Sequence, residues 1–164
     1  MSDPAPRGLS VDEAREVTPE LVDAFTRLLP QLSRSAVPLG PAELAEMVDA
    51  PGTHLLVARL AGDGPGPIVG TLTLVVFRIP TGVRAWIEDV VVDEAARGQG
   101  VGQALTAAAI GIAGEKGART VDLTSRPARE AANRLYARMG FELRDTNVYR
   151  YSVPAPGTGA PGQR

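Results

Sequence analysis

The chain reads as an α+β protein, and three observations predict this. Apolar residues switch repeatedly between alternation and helical spacing along the chain. A strand–helix–strand unit spans residues 85–123, and the right-handed crossover rule makes its strands at 85–92 and 120–123 parallel. With 164 residues, 44% of them apolar, the chain suits one compact core.

The elements follow in order. Residues 1–8 and 154–164 are rich in Pro and Gly and bury little, so they are expected to be flexible ends around one domain at 9–153. A first strand is weakly signalled over 9–16. Thr18 suits an N-cap with Pro19 at the first helical position, and Leu21, Phe25, Leu28 and Leu32 then recur at helical spacing. After a loop at 33–40, residues 41–48 predict a second short helix. Residues 53–60 and 68–77 read as strands joined by the turn-rich 61–67, and 85–92 as a third strand whose VVV ending predicts burial on both faces.

Val101, Leu105, Ala108 and Ile112 trace the next helix to about Lys116, where Gly117 ends it. Gly111 and Gly114 inside it are expected to allow close helix–sheet packing. A short strand at 120–123 precedes a helix at 128–139, ended by Gly140. Ala128, Ala131, Leu135 and Met139 form its apolar stripe. Residues 141–143 and 148–153 predict two final strands.

Composition excludes several classes of function. A net charge of −2 gives no bulk attraction to nucleic acid or anionic membrane. There is no cysteine for a disulfide or an acyl-thiolate intermediate, and the single histidine, His54, excludes a multi-histidine zinc site. His54 reads as structural, so no metal is expected. No apolar run approaches the roughly 20 residues of a membrane span. The first residues lack the apolar segment of a signal peptide, and a cytoplasmic location is expected.

One stretch resists explanation by stability alone. In ARGQGVGQAL, residues 96–105, Arg97, Gly98, Gly100 and Gly102 stand where a helix should begin. A glycine inside a helix costs roughly 1 kcal/mol against alanine, and a cation at a helix N-terminus opposes the macrodipole. Both choices become sensible around an anion. Glycines let backbone N–H groups turn inward, and the helix start adds free donors and a positive end. The dinucleotide fingerprint needs G-x-G-x-x-G directly after a strand; here the spacing is G-x-G-x-G and DEAA intervenes. The Gly-Lys-Ser/Thr ending of a P-loop is absent.

The pattern R-x-x-G-x-G at Arg97, Gly100 and Gly102 resembles the acetyl-CoA motif of the GNAT superfamily of N-acetyltransferases. The likeness runs from IEDVVVDEAARGQGVGQAL to ANRLYARMGFE, across roughly residues 53–151. It implies a mixed, mostly antiparallel sheet with a splayed parallel strand pair and helices on both faces. It implies a pyrophosphate resting on Arg97, Gly98, Gln99, Gly100, Val101 and Gly102, and a pantetheine arm along the backbone of Val90, Val91 and Val92. An N–H near Val90 would polarise the thioester carbonyl.

Tyr136 corresponds to the family tyrosine that protonates the departing thiolate. Arg129, Asn133 and Tyr136 share a helix face at i, i+4 and i+7, which would bring Asn133 to the coenzyme; the family often carries asparagine where this chain has Arg129. Glu88 is the base candidate, on one strand face with Val90 and Val92 by period two, although pairing with Arg84 also accounts for it. Asp89 falls on the other face and is the weaker candidate.

The activity implied is direct transfer of acetyl from acetyl-CoA to a small-molecule or peptide amine. The alternative is a non-catalytic acyl-CoA-binding module. Arg34, Arg78 and Arg84 are candidates to meet an anionic acceptor, and Trp86, Phe77 and Phe25 to serve as core or pocket wall. Homodimers are common in the family, and the strand at 148–153, near an edge, is where a partner would pair.

Overall fold

The structure is a computed structural model that describes residues 8–60 and 66–154. Apart from Gly8, Gly66, Pro67 and Pro154, the ends and the 61–67 turn read above lie outside the described residues. The elements are β1 (Leu9–Glu13), α1 (Pro19–Leu32), α2 (Pro41–Asp49), β2 (Thr53–Leu60), β3 (Ile68–Ile79), β4 (Gly82–Val92), α3 (Val101–Glu115), β5 (Val121–Leu123) and α4 (Glu130–Arg138). A single 3₁₀ turn, Glu94–Ala96, leads into α3.

The sheet runs β1-β2-β3-β4-β5. Its first three pairings are antiparallel, and β4–β5 is parallel. Alternation along β2 divides the core. Leu56 and Ala58 join Leu72, Leu74, Ala85 and Ile87 beneath α3. Leu55 and Val57 join Ile68 and Val91 beneath α1 and α2. Val91 is buried on the α1 side, while Val90 and Val92 pack on the α3 side and are only partly buried, so the VVV run is covered on both faces but fully buried on one.

Local chemistry explains the helix ends. The Thr18 hydroxyl accepts from Leu21 N at 3.2 Å, as an N-cap should. α4 closes through Gly140 at φ +90°, with Phe141 N donating to Tyr136 O at 3.0 Å and Gly140 N to Ala137 O at 3.1 Å. The aromatic rings of Tyr136 and Phe141 then meet edge-on at 5.7 Å, the apolar contact that accompanies this double hydrogen bond.

Several expectations need correction. The buried stripe of α3 is Val101, Leu105, Ala109 and Ala113, with Ala108 and Ile112 beside it. Gly111 and Gly114 are exposed, and a Cβ on either would meet nothing within 4 Å, so close packing does not explain them. Close approach falls on Gly70 of β3, whose Cβ would lie 2.8 Å from Val101 Cγ1. On α4, Ala128 and Ala131 are exposed, and the inward face carries Ala132, Leu135, Tyr136 and Met139. That face is displaced because α4 rests on the start of α3, with Leu135 against Gly102.

Residues 141–154 form neither helix nor strand, so the two final strands are absent from the sheet. Leu143, Val148, Tyr149, Tyr151 and Val153 are exposed there. Alternation assigns side chains to faces but supplies no neighbouring strand to pair with.

Candidate functional site

The site grows from an irregularity in β4. Thr71 pairs with Val91 and Thr73 with Glu88, so Asp89 and Val90 together oppose Leu72. This is a β-bulge, and Asp89 takes φ +49°, the one positive φ outside glycine among the described residues. The bulge shifts the alternation. Glu88 shares its face with Val91, and Val90 and Val92 turn to the α3 side. The period-two grouping of Glu88 with Val90 and Val92 is thereby overturned. Asp89, expected on the other face, lines a cavity together with Thr71, Thr73 and Val91.

β4 also parts from β5 here. The parallel pairing ends at Ile87–Leu123, whereas β4 runs on to Val92. Among the described residues no strand lies against the β5-facing edge of β4 beyond Ile87, so the backbone of Val90, Val91 and Val92 borders a split in the sheet. Ligands in sheets with parallel strands settle outside such carboxyl ends.

The end of β4 lies against the start of α3, where a Cβ on Gly102 would be 3.8 Å from Val92 Cγ2. Gly98 and Gly100 take φ +76° and +79°. Gly100 caps α3 without a side chain, and its carbonyl accepts from Ala104 N at 2.9 Å. The N–H groups of residues 98–103 donate to no backbone carbonyl among the described residues. Gln99 and Arg97 are exposed beside them, Val101 is buried as the first anchor of α3, and Gly102 leaves room for Leu135. Free donors, a helix N-terminus and a guanidinium make an anion cradle.

A polar hollow of about 700 Å³ adjoins the loop, between the end of α1 and residues 94–97. Arg34, Arg97 and Arg126 line it, against one acidic residue, Glu94. Arg34 therefore belongs to the anion side. Arg78 and Arg84 lie toward the far end of the β3–β4 hairpin, paired with Val83 and Phe77. The Ser125 hydroxyl, two residues past β5, is buried without a hydrogen-bond partner among the described residues. An orphan of this kind needs a ligand or water to satisfy it.

Tyr136 is the one buried residue of α4. Burial raises its phenol above the ordinary value of 10.0, and the nearby Arg129 lowers it by less. Asn133 donates through Nδ2 to Arg126 O at 3.0 Å, so this amide N–H holds the loop carrying Arg126. Glu88 is exposed and accepts from Trp86 Nε1 at 2.8 Å; this bond, and none from Arg84 among the described residues, holds its carboxylate. Phe25 is a cavity wall, and Phe77 is partly exposed on the hairpin. His54 Nδ1 lies 2.7 Å from Glu13 Oε1, a β1–β2 tie remote in sequence from the loop. Among the described residues, no group of three or more metal-ligating side chains occurs.

α1 is fastened to the same region. Arg27 pairs with Asp93 and donates to Ile68 O at 2.7 Å, and Gln31 Oε1 accepts from Glu94 N at 2.9 Å. Sequence reasoning missed Arg27, Ser125 and Arg126, and it misplaced Asp89. Only Arg126 left a trace in sequence, as a cation just before the last helix.

Unpaired backbone donors at the start of α3 thus adjoin the end of a parallel strand pair. The chain belongs to the Acetyltransferase (GNAT) family, whose profile matches residues 17–141. No curated protein matches it in sequence. Among solved structures it is similar to an acetyltransferase of Trypanosoma brucei, at 28% identity and TM-score 0.68, covering 88% of this chain and 99% of that one. It is similar to a transcriptional regulator of Bacillus halodurans C-125, at 28% identity and TM-score 0.70, with the same coverage of 88% and 99%. The fold is shared with an aminoglycoside acetyltransferase from an uncultured soil metagenomic sample, at 21% identity and TM-score 0.72, covering 90% and 97%. Among the described residues no helix is long and apolar enough to cross a membrane.

Proposed function

We propose that the chain transfers the acetyl group of acetyl-CoA to a primary amine by direct attack on the thioester. The observation that carries this reading is the row of N–H groups at residues 98–103 without a hydrogen-bond partner among the described residues, next to the end of the parallel strand pair. Arg34, Arg97 and Arg126 suit a polyanionic coenzyme, and the orphaned Ser125 hydroxyl suits a polar group lying in the split. The backbone of Val90, Val91 and Val92 would hold the pantetheine arm, and an N–H near Val90 would meet the carbonyl oxygen. One such donor is worth roughly 10²–10³ in rate.

The acceptor ammonium, of pKa about 10.4, gives up one proton, which at pH 7 costs roughly 4.6 kcal/mol. Glu88, exposed beside the split, is the carboxylate to collect it, directly or through water. The neutral nitrogen forms the N–C bond, and the C–S bond breaks with its electron pair going to sulfur. Tyr136 lends its proton to the thiolate and regains one from the acylated nitrogen. Its raised pKa keeps the phenol protonated at neutral pH.

A second reading is a coenzyme-binding module without turnover, since a structural neighbour from Bacillus halodurans C-125 is a transcriptional regulator rather than a transferase by description. Calorimetry with acetyl-CoA, followed by a transfer screen over a panel of amines, tests both. Under the enzymatic reading Tyr136→Phe keeps coenzyme affinity and loses about 10²-fold in rate. Coenzyme uptake with no transfer to any amine favours the second reading, and absence of uptake sinks both.

A further inference from the structure

On the face of the sheet opposite α3, a cavity of about 310 Å³ opens between α1, the 36–39 connection, α2 and the β3–β4 pair. Phe25 and Leu29 of α1, Met47 of α2 and Val91 of β4 make apolar walls. Its polar lining is Thr71, Thr73 and Asp89, and Asp89 carries the only charge among the lining residues. No cation lies within ion-pair distance of Asp89 among the described residues. Its left-handed backbone, φ +49°, is held by the bulge. Such conformations on a residue other than glycine recur where a site requires them.

We propose that this cavity selects a compact primary amine with an apolar body, of the arylalkyl or branched-alkyl kind, whose ammonium meets Asp89. The proposal deepens the transferase reading and rests on it, because Asp89 lies in the stretch of β4 that borders the split. An ammonium brings three donors and no acceptor, and Asp89, Thr71 and Thr73 answer it with acceptors alone or hydroxyls free to accept. A sugar amine would carry hydroxyls against Phe25, Leu29 and Met47, where each loses water without gaining a partner. An anionic acceptor would meet the Asp89 carboxylate with no cation on the wall to offset it. The arginines that would suit an anion line the other hollow.

Titrating the full chain with 2-phenylethylamine, 2-phenylethanol and glucosamine, with and without saturating coenzyme A, reads the cavity apart from turnover. The amine is expected to bind at least tenfold more tightly than either comparator. Asp89→Asn should erase its advantage over 2-phenylethanol and leave the melting temperature unchanged, since asparagine also tolerates the left-handed region. Coenzyme uptake is measured in the same samples. Its loss with amine selectivity intact counts against the transferase reading alone and supports the cavity assignment. The proposal is overturned if glucosamine binds as well as the arylalkyl amine, if the amine binds under neither condition, or if Asp89→Asn keeps the full preference.

Discussion

Gly70→Ala is the substitution that most directly tests how α3 is seated. Gly70 pairs with Val92 on β4, directly beneath the first turn of α3. An added Cβ would lie 2.8 Å from Val101 Cγ1, 3.1 Å from Leu105 Cδ1 and 3.2 Å from Val91 O. Carbon atoms rest at about 3.5–4.0 Å, so the nearest contact must open by at least about 0.7 Å. Val101 and Leu105 are 1% and 0% exposed, so neither can yield by swinging into solvent. Overpacking of this kind costs about 1–3 kcal/mol, and restriction of the unfolded chain returns about 0.4–1 kcal/mol. At the middle of both ranges the net loss is about 1.3 kcal/mol, a fall of about 3–5 °C in melting temperature for a chain of this length. Because Val101 opens α3, the same displacement moves the donors at 98–103, and affinity for coenzyme A should fall too. Differential scanning calorimetry and a coenzyme titration read the two effects. A variant that melts at or above the parent and binds coenzyme equally well would refute the seating of α3 on β3.

Three other outcomes are expected. Gly111→Ala and Gly114→Ala, each in open space on α3, should stabilise the chain by about 0.5–1 kcal/mol apiece in thermal melts. Glu20 is held below its ordinary value first by its hydrogen bond from Arg59. A lowered carboxylate contributes stability above its unfolded pKa and loses it as pH falls through the folded one; on this exposed pair the effect is at most about 1 kcal/mol, and Glu20→Gln should make melting between pH 6 and pH 3 less steep. Tyr136 is raised by burial, so its contribution is complete below the ordinary phenol value of 10.0 and disappears as pH climbs past it. Tyr136→Phe should then lose less stability than the parent between pH 9 and pH 11, measured by chemical denaturation.

Much of the fold was legible because its signals are local. Thr18 and Pro19 mark the start of α1 through one side-chain acceptor and one fixed φ. Gly117 and Gly140 end their helices because both need positive φ. Gly98 and Gly100 stand out in the sequence as a turn into α3, and both take positive φ. The less legible part depended on partners distant in sequence. Thr71 and Thr73 set the register that bulges β4, and a bulge reverses every face assigned beyond it by alternation. The inward face of α4 follows from where Leu135 meets Gly102, which its own spacing does not encode.

By itself the sequence determined the order of elements as far as α4 and the parallel crossover between β4 and β5. Each follows from backbone propensity and steric rules acting within a few residues. Only the tertiary structure decided that Asp89 lines the apolar cavity, that Arg34 joins Arg97 and Arg126, and that residues 141–154 pair with no strand. Those outcomes depend on which surfaces meet across the sheet, and a contact between elements is set jointly by both partners.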